Sequence, residues 1–377
     1  MTRIHTLDSL RGIFAISIIL LHFPVSWSLL YNPIVRNGGV PVDFFFVLSG
    51  FVVSSSYLDR IRSTPELLNF VLRRLGRLWP LHAFVLLLFL GLEVAKFFAN
   101  KAGVSSPDTF FAAPEFWQVF LQDLFFLNAF RNESLLELNF PAWSIGAEFW
   151  TYVAFGLIAL TFRRSLLAVA LVMGACLLVL LGVVDPGFGR AFGWSVFRAL
   201  FFFLVGSLTF RTWEMCRDKT LPAATAIELL MVLIIGAAIV WRQWVPFHTL
   251  TFALIYAGAI MIFSFQSGLV SRLLCTRFFQ MIGARSYSIY LLHILVLSIL
   301  GSILRIVARK FDLGLYVPGE IDGEKIDLLF VGNTFLTNIS VLLVVALVVW
   351  LSGLTYRFIE QPGQRFSKRL SRRAGWS

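Results

Sequence analysis

Long apolar runs, separated by short charged connections, recur about ten times in this chain. They lie near residues 10–30, 41–58, 78–98, 142–161, 166–184, 194–211, 223–241, 247–264, 287–304 and 328–352. A bilayer core about 30 Å thick takes about 20 residues of α-helix, and every backbone N–H and C=O inside it must be satisfied within the segment. The pattern predicts an all-α fold, a polytopic membrane helical bundle of about ten transmembrane helices. Of the 377 residues, 58% are hydrophobic, 14% are charged and 40 are phenylalanine, a balance that a soluble core does not need. The longest stretch between runs is about 45 residues, too short for a second soluble domain of ordinary size. One membrane domain is expected over residues 1–363, followed by a basic tail over 364–377. The first run is too long for a signal peptide and lacks a small-residue cleavage pattern, so it reads as a retained helix. The second, GGVPVDFFFVLSGFVVSSSY, is glycine-rich and opens with Asp43, as a broken or re-entrant helix would.

Charge orients the bundle. The connection from 59 to 77 has five arginines against Asp59 and Glu66, net +3, whereas the one from 96 to 141 has three cations against five acids, net −2. Basic loops stay cytoplasmic, which places the first connection inside and the second outside. Arg163 and Arg164, then Arg211, Arg217 and Lys219, then Arg272, Arg277 and Arg285 fall on the inner side, as do the six basic residues from Arg357 to Arg373. Both termini are therefore expected to be cytoplasmic. The net charge of +11 is mostly this topology signal and suits anionic lipid headgroups; the arginines are dispersed and no nucleic-acid module lies between them, so nucleic acid is not an expected partner. Residues 99–141, with FFAAPEFWQVFLQDLFFLNAF, read as amphipathic elements on the outer face. Cys176, Cys216 and Cys275 have neither disulfide-framework nor zinc-site spacing.

Within the apolar runs a few titratable groups stand out, and such groups are costly in hydrocarbon unless they serve a function. His22 follows Arg11 by eleven residues, about 16 Å of helix, which places it near the midplane. Asp8, Arg11 and His22 can share one helix face. Glu148, in PAWSIGAEFWTYV, lies about 9 Å below the outer surface and needs a partner. His22 is the expected one, with Asp43 as a competitor for the imidazole. A carboxylate on the second ring nitrogen would fix the tautomer that general-base catalysis requires. The bland alternative is that these groups only bridge helices. Arg73, Arg74 and Arg77 cluster ahead of the third run and suit phosphate groups or anchor the helix at the headgroups. His293 follows Tyr287 and Tyr290 in GARSYSIYLLH, where contact with a ligand and a structural role are equally in keeping with the pattern.

Six segments together resemble the acyltransferase-3 family of integral-membrane acyltransferases, whose members modify surface polysaccharides and related acceptors. They are LDSLRG with the following LLHF, GGVPVDFFFVLSGF, RRLGRLWPLH, PAWSIGAEFW, GARSYSIYLLH and YRFIEQPGQRF, and they cover nearly the whole chain in order. The resemblance implies that His22 is an essential histidine and Arg11 the arginine of the same motif. It associates Arg74 and Arg77 with acyl-coenzyme A. Asp43, with Ser49 and Gly50, falls on the second-helix motif, and Trp143, Ser144 and Glu148 on the fourth-helix one. The implied reaction moves an acyl group, by family analogy acetyl, from cytoplasmic acyl-CoA to a hydroxyl of a cell-surface glycan or lipid-linked saccharide. Acyl-CoA is a co-substrate, and neither a metal nor a tightly bound cofactor is expected. The sequence lacks the extracellular hydrolase-like domain fused to some relatives, so a later transfer step is expected to need another protein or none. The expected location is the bacterial cytoplasmic (inner) membrane, among membrane lipids, and the apolar surface is as suited to a homo-oligomer as to lipid. A transporter or flippase for a lipid-linked glycan is the alternative; the concentration of polar residues in the first half, with no clear repeat, favours the enzyme.

Overall fold

The computed structural model describes residues 3–25, 28, 32–37, 41–103, 110–131, 138–162, 165–184, 195–321 and 324–375. Its elements are α1 (His5–His22), α2 (Pro33–Arg36), α3 (Val42–Tyr57), α4 (Thr64–Lys101), α5 (Phe116–Leu124), α6 (Ala142–Thr161), α7 (Leu166–Val184) and α8 (Ser195–Cys216). Then follow α9 (Ala224–Val240), α10 (His248–Ser264), α11 (Leu269–Leu274), α12 (Arg277–Ala284), α13 (Ser286–Lys310), strands β1 (Tyr316–Ile321) and β2 (Glu324–Leu329), α14 (Thr334–Thr355) and α15 (Gln361–Arg373). Among the described residues, five helices are long and apolar enough to cross a membrane: α4, α6, α8, α13 and the continuous segment Thr334–Arg373. Four shorter apolar helices, α3, α7, α9 and α10, pack among them.

Each apolar run forms a helix, but three differ in shape from the expectation. The first helix stops at His22, where Phe23 turns extended and Pro24 cannot continue the ladder, so His22 closes a helix and does not stand midway along one. The second is unbroken from Val42 to Tyr57, with Asp43 in its first turn. The third absorbs the arginine-rich connection into a single 38-residue helix, α4. Pro80 inside α4 leaves the carbonyl of Gly76 without its helical donor. Gly363 of α15 packs against Pro80 and that carbonyl, and Ser367 rests on Gly76, so the tail helix covers the defect. Within the tail expected over 364–377, residues 364–373 thus belong to a packed helix.

Glycines set the tightest crossings. A side chain at Gly50 would collide with the carbonyl of Phe203, and one at Gly206 with the carbonyl of Val47, so α3 and α8 touch backbone to backbone. Gly12 and Gly283 do the same for α1 and α12. Around these contacts, buried Phe44, Phe51, Phe202, Phe252 and Phe263 fill one part of the core, and Phe70, Phe126, Phe155 and Phe203 another.

The chain enters and leaves at the same end of the bundle. The Thr6 hydroxyl donates to the Phe263 carbonyl at 2.6 Å and Ser9 to that of Leu274 at 2.6 Å, while α15 lies on the first half of α4. At the opposite end, α5 buries Phe116, Val119 and Phe120 against α4 and leaves Trp117 and Leu121 exposed, an amphipathic element within the region where one was expected. An antiparallel hairpin of β1 and β2, absent from the sequence reading, caps the exit of α1: Leu329 N–H donates to the Pro24 carbonyl at 2.9 Å, and Val25 pairs with Leu329. Arg163, Arg164, Asp108, Glu133 and Glu137, and the glycines that open the second run, lie outside the described residues.

Candidate functional site

A cavity of about 680 Å³, counting the part open to solvent, lies between α1, α3, α4, α6 and α13. Alternation of α4's faces decides which arginines reach it. Arg74 and Arg77, three residues apart, share the inward face and line the cavity together with Arg11 of α1. Arg73 points elsewhere: its Nε donates to Asn69 Oδ1 at 2.8 Å and an Nη reaches Ser371 Oγ of α15 at 3.5 Å. It links α4 to the tail helix and is not among the residues that line the cavity.

Arg74 is buried, with its guanidinium 4.9 Å from the ring centre of Tyr57, 5.4 Å from Phe70 and 5.1 Å from Tyr152. Aromatic faces hold a cation in place without neutralising it. Its buried Nε has no hydrogen-bond partner among the described residues, and neither Arg74 nor Arg77 forms an ion pair there. Arg11 is 3.5 Å from Asp8, which Arg3 also holds at 2.6 Å. Among the described residues, three guanidinium groups therefore face the cavity and Glu148 is its one acidic lining residue. Such an excess of fixed positive charge selects anions.

Glu148 is not bonded to His22. Its Oε1 accepts from Ser49 Oγ of α3 at 2.8 Å and from Tyr152 one turn along α6, and the Ser49 and Tyr152 hydroxyls are 2.7 Å apart. The depth count from the two surfaces brought His22 and Glu148 to similar levels but carried no information on which faces meet. Asp43 is engaged from α8. It is fully buried and takes Arg198 of α8 by two bonds, Nε to Oδ1 at 2.9 Å and Nη2 to Oδ2 at 2.8 Å, which makes it an interhelix clamp. Trp143 packs among the hydrophobic residues around α8 and does not line the cavity.

Towards α13 the cavity is walled by tyrosines. Tyr287 lines it and donates to the Leu78 carbonyl at 2.6 Å, which pins the two helices. The Tyr290 hydroxyl is 2.8 Å from Ser144 Oγ and donates to the Pro141 carbonyl at 3.1 Å, tying α13 to the start of α6. Behind Tyr290 stands His293, fully buried, with its ring centre 5.8 Å from that of Tyr290 and 5.1 Å from that of His22. His293 Nε2 is 3.2 Å from His22 Nδ1, and His293 Nδ1 is 2.5 Å from the Tyr290 carbonyl. The structure thus separates the expected residues into two neighbouring groups. Arg11, Arg74, Arg77, Ser144, Glu148 and Tyr287 line the cavity; His22 and His293 form a pair one aromatic ring beyond it.

Sequence reasoning passed over Tyr152, Arg198 and Glu360. Tyr152 was marked only by its spacing of four from Glu148, and Arg198 by being a lone cation in an apolar run. Glu360 is buried where the turn Tyr356–Glu360 takes π geometry, accepting from Ser288 Oγ of α13 at 2.8 Å. Among the described residues no three His, Cys, Asp or Glu side chains come together as a metal site.

Comparison with known proteins gives a consistent set of matches. The family described as "Acyltransferase domain" matches residues 4–357. The O-acetyltransferase OatA of Staphylococcus aureus (strain NCTC 8325 / PS 47) is 25% identical over 384 residues, covering 94% of this chain and 56% of the relative. The putative peptidoglycan O-acetyltransferase YrhL of Bacillus subtilis (strain 168) is 26% identical over 328 residues, covering 78% and 48%. The chain spans about half the length of the curated relatives it matches. No solved structure matches.

Proposed function

The chain belongs to the Acyltransferase domain family, and from that premise we propose that it moves an acyl group, in the first instance acetyl, from acyl-coenzyme A to a hydroxyl of a cell-surface glycan or lipid-linked saccharide, with His22 as general base. The observation that carries the reading is the pair of cavity arginines, Arg74 and Arg77, which form no ion pair among the described residues and stand beside Arg11. Guanidinium binds phosphate in two-point fashion, and Arg74, caged by three aromatic rings, is already oriented to do so. The arginine-bearing end faces the cytoplasm of a bacterial inner membrane, where acyl-CoA is available.

With its phosphates on Arg74 and Arg77, the pantetheine arm runs between α3 and α6 towards Ser144 and Tyr290. Turning Tyr290 away from Ser144 and Pro141 opens the way to His22. The acceptor hydroxyl gives its proton to His22 Nε2 as its oxygen bonds to the thioester carbonyl carbon. The carbon–sulfur bond then breaks, and the coenzyme A thiolate leaves, taking the proton back from the imidazolium. An O–C bond replaces the C–S bond, and the proton ends on sulfur.

A second reading is favoured by one fact: Glu148 lines the cavity and His22 does not. Glu148, with Tyr152 and Ser49, would then take the acceptor proton. Transfer from labelled acetyl-CoA by purified protein in nanodiscs, with mass spectrometry of native lipid and glycan extracts, tests both. His22→Ala is expected to abolish product with donor binding retained. Full transfer by His22→Ala with loss in Glu148→Gln would move the base to Glu148, and movement of a glycan without any acylated product would restore the transport alternative.

A further inference from the structure

His22 and His293 meet nitrogen to nitrogen, and counting their protons assigns the pair. His293 Nδ1 is 2.5 Å from the Tyr290 carbonyl, which can only accept, so Nδ1 carries a hydrogen and donates it. A neutral His293 then has only a lone pair on Nε2. That nitrogen faces His22 Nδ1 at 3.2 Å, so the hydrogen between them belongs to His22. The Ile18 carbonyl, 2.9 Å from the same Nδ1, demands the same answer. The two acceptors share that hydrogen: the Ile18 carbonyl, four residues back in α1, also takes the helical N–H of His22, and His293 Nε2 adds a second acceptor for Nδ1.

We propose that His293 is a positioning residue, which holds His22 in the Nδ1–H tautomer and so keeps Nε2 as the basic nitrogen. This rests on the reading of His22 as general base. Free imidazole side chains favour the opposite tautomer, with the proton on Nε2, so with one of these two acceptors removed part of the protein would present the wrong nitrogen. The acceptor here is uncharged. A neutral partner orients the ring without the added basicity that a carboxylate lends, which suits a thioester, whose thiolate leaves readily. The fixed placement of His293 follows from its complete burial and from the anchor that its own backbone turn provides three residues back. Tyr290 therefore has two tasks: its hydroxyl closes the cavity wall, and its carbonyl sets the tautomer of His293 and, through it, that of His22.

The test uses full-length protein in nanodiscs with ring-¹⁵N histidine, the His22 signals being assigned by their loss in His22→Ala. Wild type is expected to show His22 protonated at Nδ1 and not at Nε2. His293→Leu, which keeps bulk but removes the acceptor, should show a mixture of tautomers and a kcat lower by on the order of 10- to 100-fold, with the donor KM unchanged. This is less than the ~10⁴-fold loss where the orienting partner is a carboxylate. His293→Gln places an oxygen near the former Nε2 and should recover most of the kcat. An unchanged donor KM shows that the variants are folded. A wild-type His22 protonated at Nε2, a His293→Leu variant with unaltered tautomer and kcat, or a Gln variant as impaired as the Leu one would each overturn the assignment. Should His22→Ala remain active while His293→Leu still shifts the tautomer, the base reading falls and the positioning of the ring stands.

Discussion

The carboxylate of Asp43 and the guanidinium of Arg198 share two hydrogen bonds, 2.9 and 2.8 Å, at the point where the first turns of α3 and α8 meet. Asp43 is wholly buried there, so removing Arg198 leaves a charge with no water to receive it. Breaking a buried pair in this way costs about 3–5 kcal/mol. Arg198→Ala should lower the thermal midpoint and the folded yield in detergent, whereas the donor KM of whatever folds should match wild type. A selective rise in donor KM at normal stability would instead return Asp43 to the binding site.

For Arg74 and Arg77 the expected signature is the reverse. Each charged hydrogen bond is worth about 1.5–3 kcal/mol, so Arg77→Ala should raise the donor KM by roughly 10- to 100-fold with little change in kcat. Arg74→Lys keeps the charge but loses the planar group that stacks on Tyr57 and Tyr152. It should behave more like Arg74→Ala than like wild type in initial-rate measurements, because lysine is a point charge with no planar fork.

Arg73→Ala separates the third arginine from these two. Its contacts run to Asn69 and Ser371, so the variant should keep its donor KM and loosen α15. Faster limited proteolysis within residues 361–373 is the readout, and an increased donor KM with an unaltered proteolytic pattern would contradict it.

Substitution at Gly206 tests the packing of α3 on α8. A methyl group there meets the Val47 carbonyl, which is backbone and cannot turn aside. Forced insertions into packed cores cost about 1–3 kcal/mol. Gly206→Ala should lose at least that much, whereas Gly236→Ala, with open space around it, should be neutral or slightly stabilising as measured by thermal unfolding in detergent.

Helix positions were largely legible in the sequence because hydropathy acts through composition alone: α6 and α10 fall within a residue of the apolar runs that announced them. Helix ends were less so. Pro24 stops α1 at His22, and the arginines from 73 to 77 continue α4 where charge suggested a loop. Ligand arrangement was legible only where one helix decides it, as with Arg74 and Arg77 at a spacing of three. Pairings between helices depend on rotation about each axis. That is why His22 met His293 and not Glu148, and why Arg198, inside an apolar run, was not matched to Asp43. The β1–β2 hairpin escaped because YVPGEI carries a proline and a glycine that weaken a strand reading.

The π turn at Tyr356–Glu360 lets the chain carry one residue more than an uninterrupted α-helix would between α14 and α15. Five residues at the wider π spacing turn the chain about as far as four at about 100° each, so the surplus is absorbed inside the turn and α15 keeps the facing that α14 would have handed it directly. Ser367 on Gly76 and Ser371 on Asn69 therefore do not depend on the extra residue. What the surplus changes is local, in the turn where Glu360 meets Ser288. Removing one residue ahead of Glu360 would close the turn into plain helix and leave the seam of α15 on α4 in place, so the bulge serves the placing of one buried carboxylate and not the aiming of the helix that follows.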